Sequence, residues 1–423
     1  MSSWDVIVVG GGPAGLMAAT RAAERGRRTL LLEKNRRPGI KILLSGGTRC
    51  NLTHATDPRG IVAAFGPAGR FLHSALAALG PQQLVDLFEA EGVPTKVEEG
   101  GKIFPQSDRA ADVLAALLRR LGRSGCTLAC EEPLMEIERI DGGFRLLSAK
   151  ETLLAEKIVL ATGGRSYPAC GTTGDGYRWA AALGHTIVTP RTALVPVTSH
   201  AAWVKELQGI RVPDVWVKVS SQPALTPCPS PEAGEGRARC LAERRGAILF
   251  THFGISGPAV LDVSRAISSH DQPQTLALLC DFLPGMGLEQ IEAFLLSQSA
   301  TAGKRQVAGI LAQLLPHRLA ESLVELAAVS RADRAAEFTK EDRRRLVQTV
   351  KHAAIPVAGT MGFRKAEVTA GGVCLEEVDS RTMQSKLVPN VYFAGELLDL
   401  DGPIGGYNFQ AAFSTGWLAG ESV

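Results

Sequence analysis

The sequence is poor in aromatic residues, at 5% of 423, and has no run of the roughly 20 apolar residues that a membrane-crossing helix needs. Apolar runs such as Thr275 to Leu279 are far shorter. A surplus of one charge is missing too: 46 basic against 43 acidic residues leave +3, too even a balance to argue for a polyanionic partner. Eight scattered cysteines form no CxxC pair, and no histidine pair joins them at zinc spacing, so neither a disulfide framework nor a metal site is expected. That pattern suits a reduced, cytoplasmic chain. The strand pattern Asp5-Val6-Ile7-Val8-Val9 opens almost at once, so no signal peptide is expected. No period of about 20 to 50 residues recurs, so repeat architectures drop out.

What is present is ordinary globular material, 45% hydrophobic and 21% charged with mean hydropathy +0.07. A single core stops growing near roughly 250 to 300 residues, so two or three domains are expected. The first forty residues read as strand, glycine turn, Ala-rich helix and strand, half of a βαβ unit. Helical patterns follow at Phe71 to Ala78, Gln82 to Glu91 and Ala110 to Leu121, and short strands between Cys126 and Leu160 join at Asp141-Gly142-Gly143. From Pro190 the pattern turns to β-like patches and then, from Leu288 to about His352, to helices. Pro223 to Arg239, with four prolines, is expected to be a surface loop.

The sharpest local signal is Gly10-x-Gly12-x-x-Gly15 between a strand and a helix, with Glu33 at the end of the next strand. Gly10 allows the tight turn, Gly12 lets a pyrophosphate approach backbone N–H groups at the helix start, and Gly15 lets helix and strand pack closely. Glu33 would accept from ribose hydroxyls. The loop alone does not choose between FAD and NAD. Ser45 to Thr53, a glycine turn carrying Arg49, Cys50 and Asn51, can aim donors at a diphosphate or flavin edge, or is simply a capped polar loop. The tail repeats the theme: a strand ends in Gly395-Glu396, and Asp399, Asp401 and Gly405-Gly406-Tyr407-Asn408-Phe409 lead into a small-residue helix. A carboxylate there suits a flavin ribitol, and an NAD site rarely needs both ends of a chain.

These segments, together with Gly101 to Pro105, Ala161 to Pro168, Gly171 to Tyr177, Phe250 to Pro258 and Val368 to Val373, resemble the BaiN-like, aminoacetone-oxidase-type flavoproteins of the glutathione-reductase-like FAD superfamily. The resemblance runs nearly end to end. It implies an α/β fold: a Rossmann-type FAD-binding domain from 1–189 and 357–423, an inserted β-barrel-like domain from 190–287 and 346–356, and a small helical domain at 288–345. It also implies that Ala14, Glu33, Arg49, Cys50, Asn51, Glu396 and Asn408 line the FAD, with Leu134 passing the adenine by its backbone. Lys34, Gly163, Gly395, Asp401, Gly406 and Phe409 complete the expected cofactor set. The chain departs from the family at Thr48, where a third glycine is common, and at His54, where Asn is common.

Candidate catalytic residues are Arg49, Cys50 and Tyr167. Arg49 and Tyr167 can donate to a developing oxyanion or act as phosphate or packing contacts. Cys50 is a thiol near the flavin or a small buried hydrophobe. The expected activity is hydride transfer between flavin and a small organic substrate at a C=C or C–N bond. No second GxGxxG follows a strand in the insert, so NADH or NADPH would meet the flavin transiently or not at all. The rival reading is a flavoprotein acting on RNA or serving as an interaction module; few aromatics and no basic stripe beyond Arg343 to Arg345 place it second.

Overall fold

The computed structural model describes residues 2–221, 239–301 and 303–423. Apart from Arg239, the proline-rich stretch from Pro223 lies outside the described residues. The chain forms two compact units, one drawn from both ends, up to Arg191 and from Glu367, the other Thr192–Ala366.

The first unit is built on a sheet whose central strands are parallel: Thr127–Ala129, Thr29–Leu32, Ser2–Val9, Thr152–Leu160 and Val391–Phe393. Val6 to Val8 are fully buried and Val9 nearly so, the continuous apolar run of a strand covered on both faces. The strands at Leu134–Ile140 and Gly143–Ser148 form the hairpin read at Asp141-Gly142, where Gly142 takes φ +82°. Helices at His73–Ala78, Pro81–Ala90 and Ala110–Ser124 fall where periodicity places them. Cys126 and Cys130, which alternation assigns to the core, are half-buried instead, because the strand they flank is the sheet's edge.

Alanines make the Pro13–Glu24 helix slim enough to be buried on most sides. The Tyr407–Ser422 helix lies against it so closely that a Cβ on Gly416 would run into Ala14 O and one on Gly420 into Ala18 O. Arg25 pairs with Glu421 at 2.7 Å, and Arg21 and Arg120 lie over the Trp417 ring at 4.8 and 5.1 Å. Deeper in, Gln410 donates to Leu79 O at 3.0 Å and accepts from Thr53 Oγ1 at 2.6 Å. The tail is therefore part of the first unit's core.

In the second unit a seven-stranded antiparallel sheet runs in the order Ala353–Pro356, Ala277–Asp281, Arg211–Ser220, Cys240–Thr251, Gly254–Ser256, Val197–Thr198 and Gly359–Thr360. Its two outer strands are separated in sequence only by Val357 and Ala358. Three residue steps span about 10 Å, so the sheet must curl until its edges approach, and this is the origin of the barrel-like shape. A helix at Pro258–Ser268, for which the sequence reading had no place, covers it with Val260, Val263 and Ile267. The helices Leu288–Thr301, Val307–Leu311, His317–Leu326 and Lys340–His352 share one core with the sheet, Leu295, Leu323 and Val350 packing with Val217, Leu278 and Phe282. Of the three arginines on the last helix, Arg343 donates to Phe338 O and Arg345 to Ala327 O, so only Arg344 is left exposed.

Candidate functional site

The buried first strand delivers Gly10 at its end with φ +104°, and the Gly10 N–H donates to Leu32 O at 2.8 Å. A Cβ on Gly10 would sit 2.6 Å from Ala161 O, and one on Gly15 would collide with Gly10 O. Strand and helix thus touch backbone to backbone, as the spacing requires. Gly12 is extended (φ −77°, ψ −175°) and caps the helix without a side-chain hydrogen bond; an added Cβ there meets nothing within 4 Å. The positive end of the helix is left uncapped at an open approach.

Glu33 is buried and braces this turn. Its Oε2 accepts from Gly11 N at 2.8 Å, and its Oε1 from Asn35 N and Nδ2 at 2.8 and 2.7 Å. A carboxylate oxygen takes two donors, so Oε2 keeps one acceptor position. Lys34 reaches away, to Thr173 Oγ1 at 2.7 Å and Asp175 Oδ2 at 2.6 Å, and Asn35 Nδ2 reaches Cys170 O at 3.0 Å. The Gly171 to Tyr177 segment is thereby docked beside Glu33. Backbone bonds from Glu131 N to Asn35 O and from Glu132 N to Glu33 O bring in the stretch leading to Leu134.

Ser45 to Thr53 is more contorted than a capped polar loop. Gly46, Gly47, Thr48 and Cys50 all take left-handed φ, between 55° and 70°, which costs a residue with a Cβ about 1 kcal/mol or more. Arg49 is spent on protein partners: Nη1 lies 2.7 Å from Glu98 Oε1 and 3.3 Å from Asp108 Oδ1, and its guanidinium sits 4.0 Å over the Phe104 ring. The bond to Glu98 holds it still more firmly charged. Cys50 is sealed from solvent, and burial pushes its thiol up to about 12. It is a thiol, not a thiolate, at neutral pH. Asn51 donates to Ile103 O and Thr53 O at 3.2 and 3.0 Å and accepts from Gly406 N at 3.0 Å, so it meets the tail directly.

Gly395 (φ +72°) donates to Thr415 Oγ1 at 3.0 Å and abuts Ala14, to whose methyl a Cβ would come within 2.8 Å. Glu396 accepts from Thr369 N at 2.9 Å through Oε1, while Oε2 lies 2.5 Å from Lys41 Nζ. Sequence reasoning missed Lys41; a lysine opening a helix gives no sign of a partner in the tail. Gly163 (φ +73°) follows Thr162 at the end of the Thr152–Leu160 strand. Asp401 is buried, and Asn408 holds its turn, accepting from Gly402 N at 2.8 Å and donating to Gly402 O at 2.9 Å. Phe409 packs near Phe413, ring centroids 5.9 Å apart. Tyr167 is half-buried at φ +53°, its carbonyl accepting from Thr172 Oγ1, and burial pushes its phenol up. No hydrogen bond joins it to Arg49 or Cys50 among the described residues.

The description "HI0933-like protein Rossmann domain" matches residues 4–422. The chain belongs to the HI0933-like family. Members of that family are FAD-binding Rossmann proteins, and this one is an FAD-dependent oxidoreductase. It is 34% identical over 426 residues to the ribosomal RNA dihydrouridine synthase of Escherichia coli (strain K12), covering 100% of this chain and 98% of that one. The 3-dehydro-bile acid delta(4,6)-reductase of Clostridium scindens is 30% identical over 419 residues, at 98% of each. The solved 3-ketosteroid-delta4-(5alpha)-dehydrogenase of Rhodococcus jostii RHA1 shares the fold, with TM-score 0.52 at 14% identity over 99% of this chain and 97% of that one.

The HI0933-like chain has the donor set such a cofactor needs. An uncapped helix N-terminus suits a diphosphate, and the Glu33 carboxylate retains acceptor capacity for a hydroxyl. Two more hydroxyls, Thr162 Oγ1 and Tyr177 Oη, are buried with no hydrogen-bond partner among the described residues. Buried polar groups are nearly always paired, so these two can serve a bound group; elsewhere in the chain Trp4 Nε1, Thr251 Oγ1 and Arg343 Nε share the lack of a partner among the described residues. No helix among the described residues is long and apolar enough to cross a membrane.

Proposed function

We propose that this chain holds FAD between its two ends and uses it to reduce a carbon–carbon double bond conjugated to a carbonyl. Gly10, Gly12 and Ala14 would meet the diphosphate while Gly15 holds the helix against the strand, and Glu33 would meet a ribose hydroxyl. Leu134 would pass the adenine, and Gly163, Gly395 and Glu396 the ribitol. Asn51 and Gly406, bonded to each other, would fix the backbone beside the pyrimidine edge, with Lys34, Asp401, Asn408 and Phe409 holding the surrounding loops. The observation that carries this is the double meeting of the ends, Ala14 with Gly395 and Asn51 with Gly406.

Bound and reduced, FAD would supply the hydride for an electron-poor β-carbon, and a proton drawn from solvent would complete the saturation at the α-carbon. The protein's part is to place a donor where charge develops on the carbonyl oxygen. Arg49 is committed to Glu98 and Asp108, and Cys50 is sealed away; Tyr167, protonated and half-buried, is the donor this reading selects.

The bond class is supported by what two relatives have in common. Dihydrouridine is uridine with the ring double bond beside a carbonyl saturated, and a 3-dehydro delta(4,6) system is a dienone. Two full-length relatives are named for ribosomal RNA, which favours a uridine base in that RNA over the small organic substrate first expected; the bile-acid relative favours a free enone as the second reading. The test is anaerobic: purified yellow protein is titrated with NADH and with NADPH, then mixed with unmodified ribosomal RNA or a steroid dienone. Flavin reoxidation with a saturated product assigns the class. FAD-loaded protein that neither substrate reoxidises removes the reading.

A further inference from the structure

The Asp175–Ala182 helix begins where the proposed cofactor site draws its parts together. A Cβ on Gly176 would collide with Thr162 Oγ1 and come within 2.9 Å of Leu397 Cδ1. Thr162 follows Ala161, the residue against which Gly10 is pressed, and Leu397 follows Glu396. The next residue, Tyr177, is 7% exposed; its hydroxyl is fully buried and has no hydrogen-bond partner among the described residues. Glu396, Asp399 and Arg165 are the charged groups whose fields reach it. The other deeply buried tyrosine behaves differently: Tyr392, 3% exposed, donates its hydroxyl to Ser422 O at 3.2 Å. A buried phenol is ordinarily paired in that way, because the desolvated O–H is otherwise a net loss.

We propose that the Tyr177 hydroxyl is a hydrogen-bond partner of bound FAD, with Thr162 Oγ1 as its neighbour in the same contact. The inference rests on the FAD site proposed above. Neither hydroxyl was legible in the sequence, because a tyrosine two residues into a helix reads as core. A hydroxyl that serves only the loaded protein carries an opposite sign in the two states. Removing it relieves the unliganded chain, which has nothing to pair with it, and weakens the liganded one.

The test compares Tyr177→Phe, Thr162→Val and Tyr392→Phe in the full chain, each as deflavinated apoprotein and with added FAD. Both substitutions at the proposed contact conserve shape, and Tyr392→Phe is the control for a hydroxyl already paired within the protein. Tyr177→Phe is expected to leave the apoprotein melting temperature unchanged or about a degree higher while raising the FAD dissociation constant about five- to tenfold, with Thr162→Val in the same direction. Tyr392→Phe is expected to lower the apoprotein melting temperature and leave FAD affinity alone. If Tyr177→Phe binds FAD as the parent does, or destabilises the apoprotein as much as Tyr392→Phe, the inference is overturned while the FAD site stands. Parent protein that takes up no FAD removes both.

Discussion

Lys41 Nζ lies 2.5 Å from Glu396 Oε2, an ion pair between residues 355 apart in sequence. Both side chains are only about one-fifth exposed, at 21% and 19%. Removing one partner leaves the other charge largely desolvated, so Lys41→Met or Glu396→Gln is expected to cost about 1–3 kcal/mol, discounted from a fully buried pair. The double variant should recover part of that loss. A double-mutant cycle on chemical denaturation reads the coupling, and additive losses would remove it.

The His54 ring stacks on Tyr407, centroids 4.6 Å apart and 22° from parallel, and its Nδ1 lies 3.1 Å from Gly405 O. The imidazole therefore pins the glycine turn that opens the C-terminal helix. His54→Leu loses both the donor and the polar stack, for about 1–2 kcal/mol and weaker FAD binding. His54→Asn restores an N–H donor at this position and should retain most of the affinity in a flavin-fluorescence titration. Equal losses in the two variants would show that the hydrogen bond is idle.

His185 carries a pH dependence whose direction is fixed by its partners. Ser385 Oγ accepts from Leu387 N and Val388 N, so its own proton goes to His185 Nε2 at 2.7 Å; the ring's proton then sits on Nδ1, facing Glu377 Oε2 at 3.2 Å. Burial lowers the His185 pKa below its ordinary 6.5, despite Glu377. The unfolded chain therefore takes up this proton first. Stability from a neutral His185 is complete above about pH 6.5 and declines as pH falls toward the folded value, no more steeply than about 1.4 kcal/mol per pH unit. The Glu377 carboxyl, lowered by the Thr186 N–H and by His185 against an opposing burial effect, adds a second loss below its ordinary 4.5. Unfolding curves from pH 8 to about pH 3 should show both, and His185→Gln should flatten the first.

Thiol reactivity should separate Cys50 from Cys240. Cys50 is buried, with its thiol pushed up to about 12, whereas Cys240 is exposed. A thiolate reagent at pH 7.5 is expected to label Cys240 in the native protein and Cys50 only after unfolding. Fast native labelling of Cys50 would place a thiolate at the candidate site and reopen its redox role.

What the sequence reveals of the site follows the range of the interactions. Gly10, Gly12, Gly15 and Glu33 are legible because strand, turn, helix and acid are neighbours in the chain, and the Asp141-Gly142 hairpin is legible for the same reason. Arg49 is not: its capture by Glu98 and Asp108 depends on a strand pairing, Lys102–Pro105 with Thr95–Val97, that no local pattern encodes. That Asn408 holds the turn at Gly402 is not legible either, since a loop's path decides which way an amide faces. The helix Pro258–Ser268 escaped notice because its apolar face follows directly on a strand and a glycine.

The contact of the Tyr407–Ser422 helix with the Pro13–Glu24 helix has a consequence in time. Translation at about 5–20 residues per second delivers the covering helix roughly 20 to 80 seconds after the one it covers. Throughout that interval the alanine face around Ala14 and Ala18 stands bare on the nascent chain, a surface for chaperones to shield. On the site proposed here, flavin capture would be a late event of biogenesis, waiting on the emergence of the tail from the ribosome.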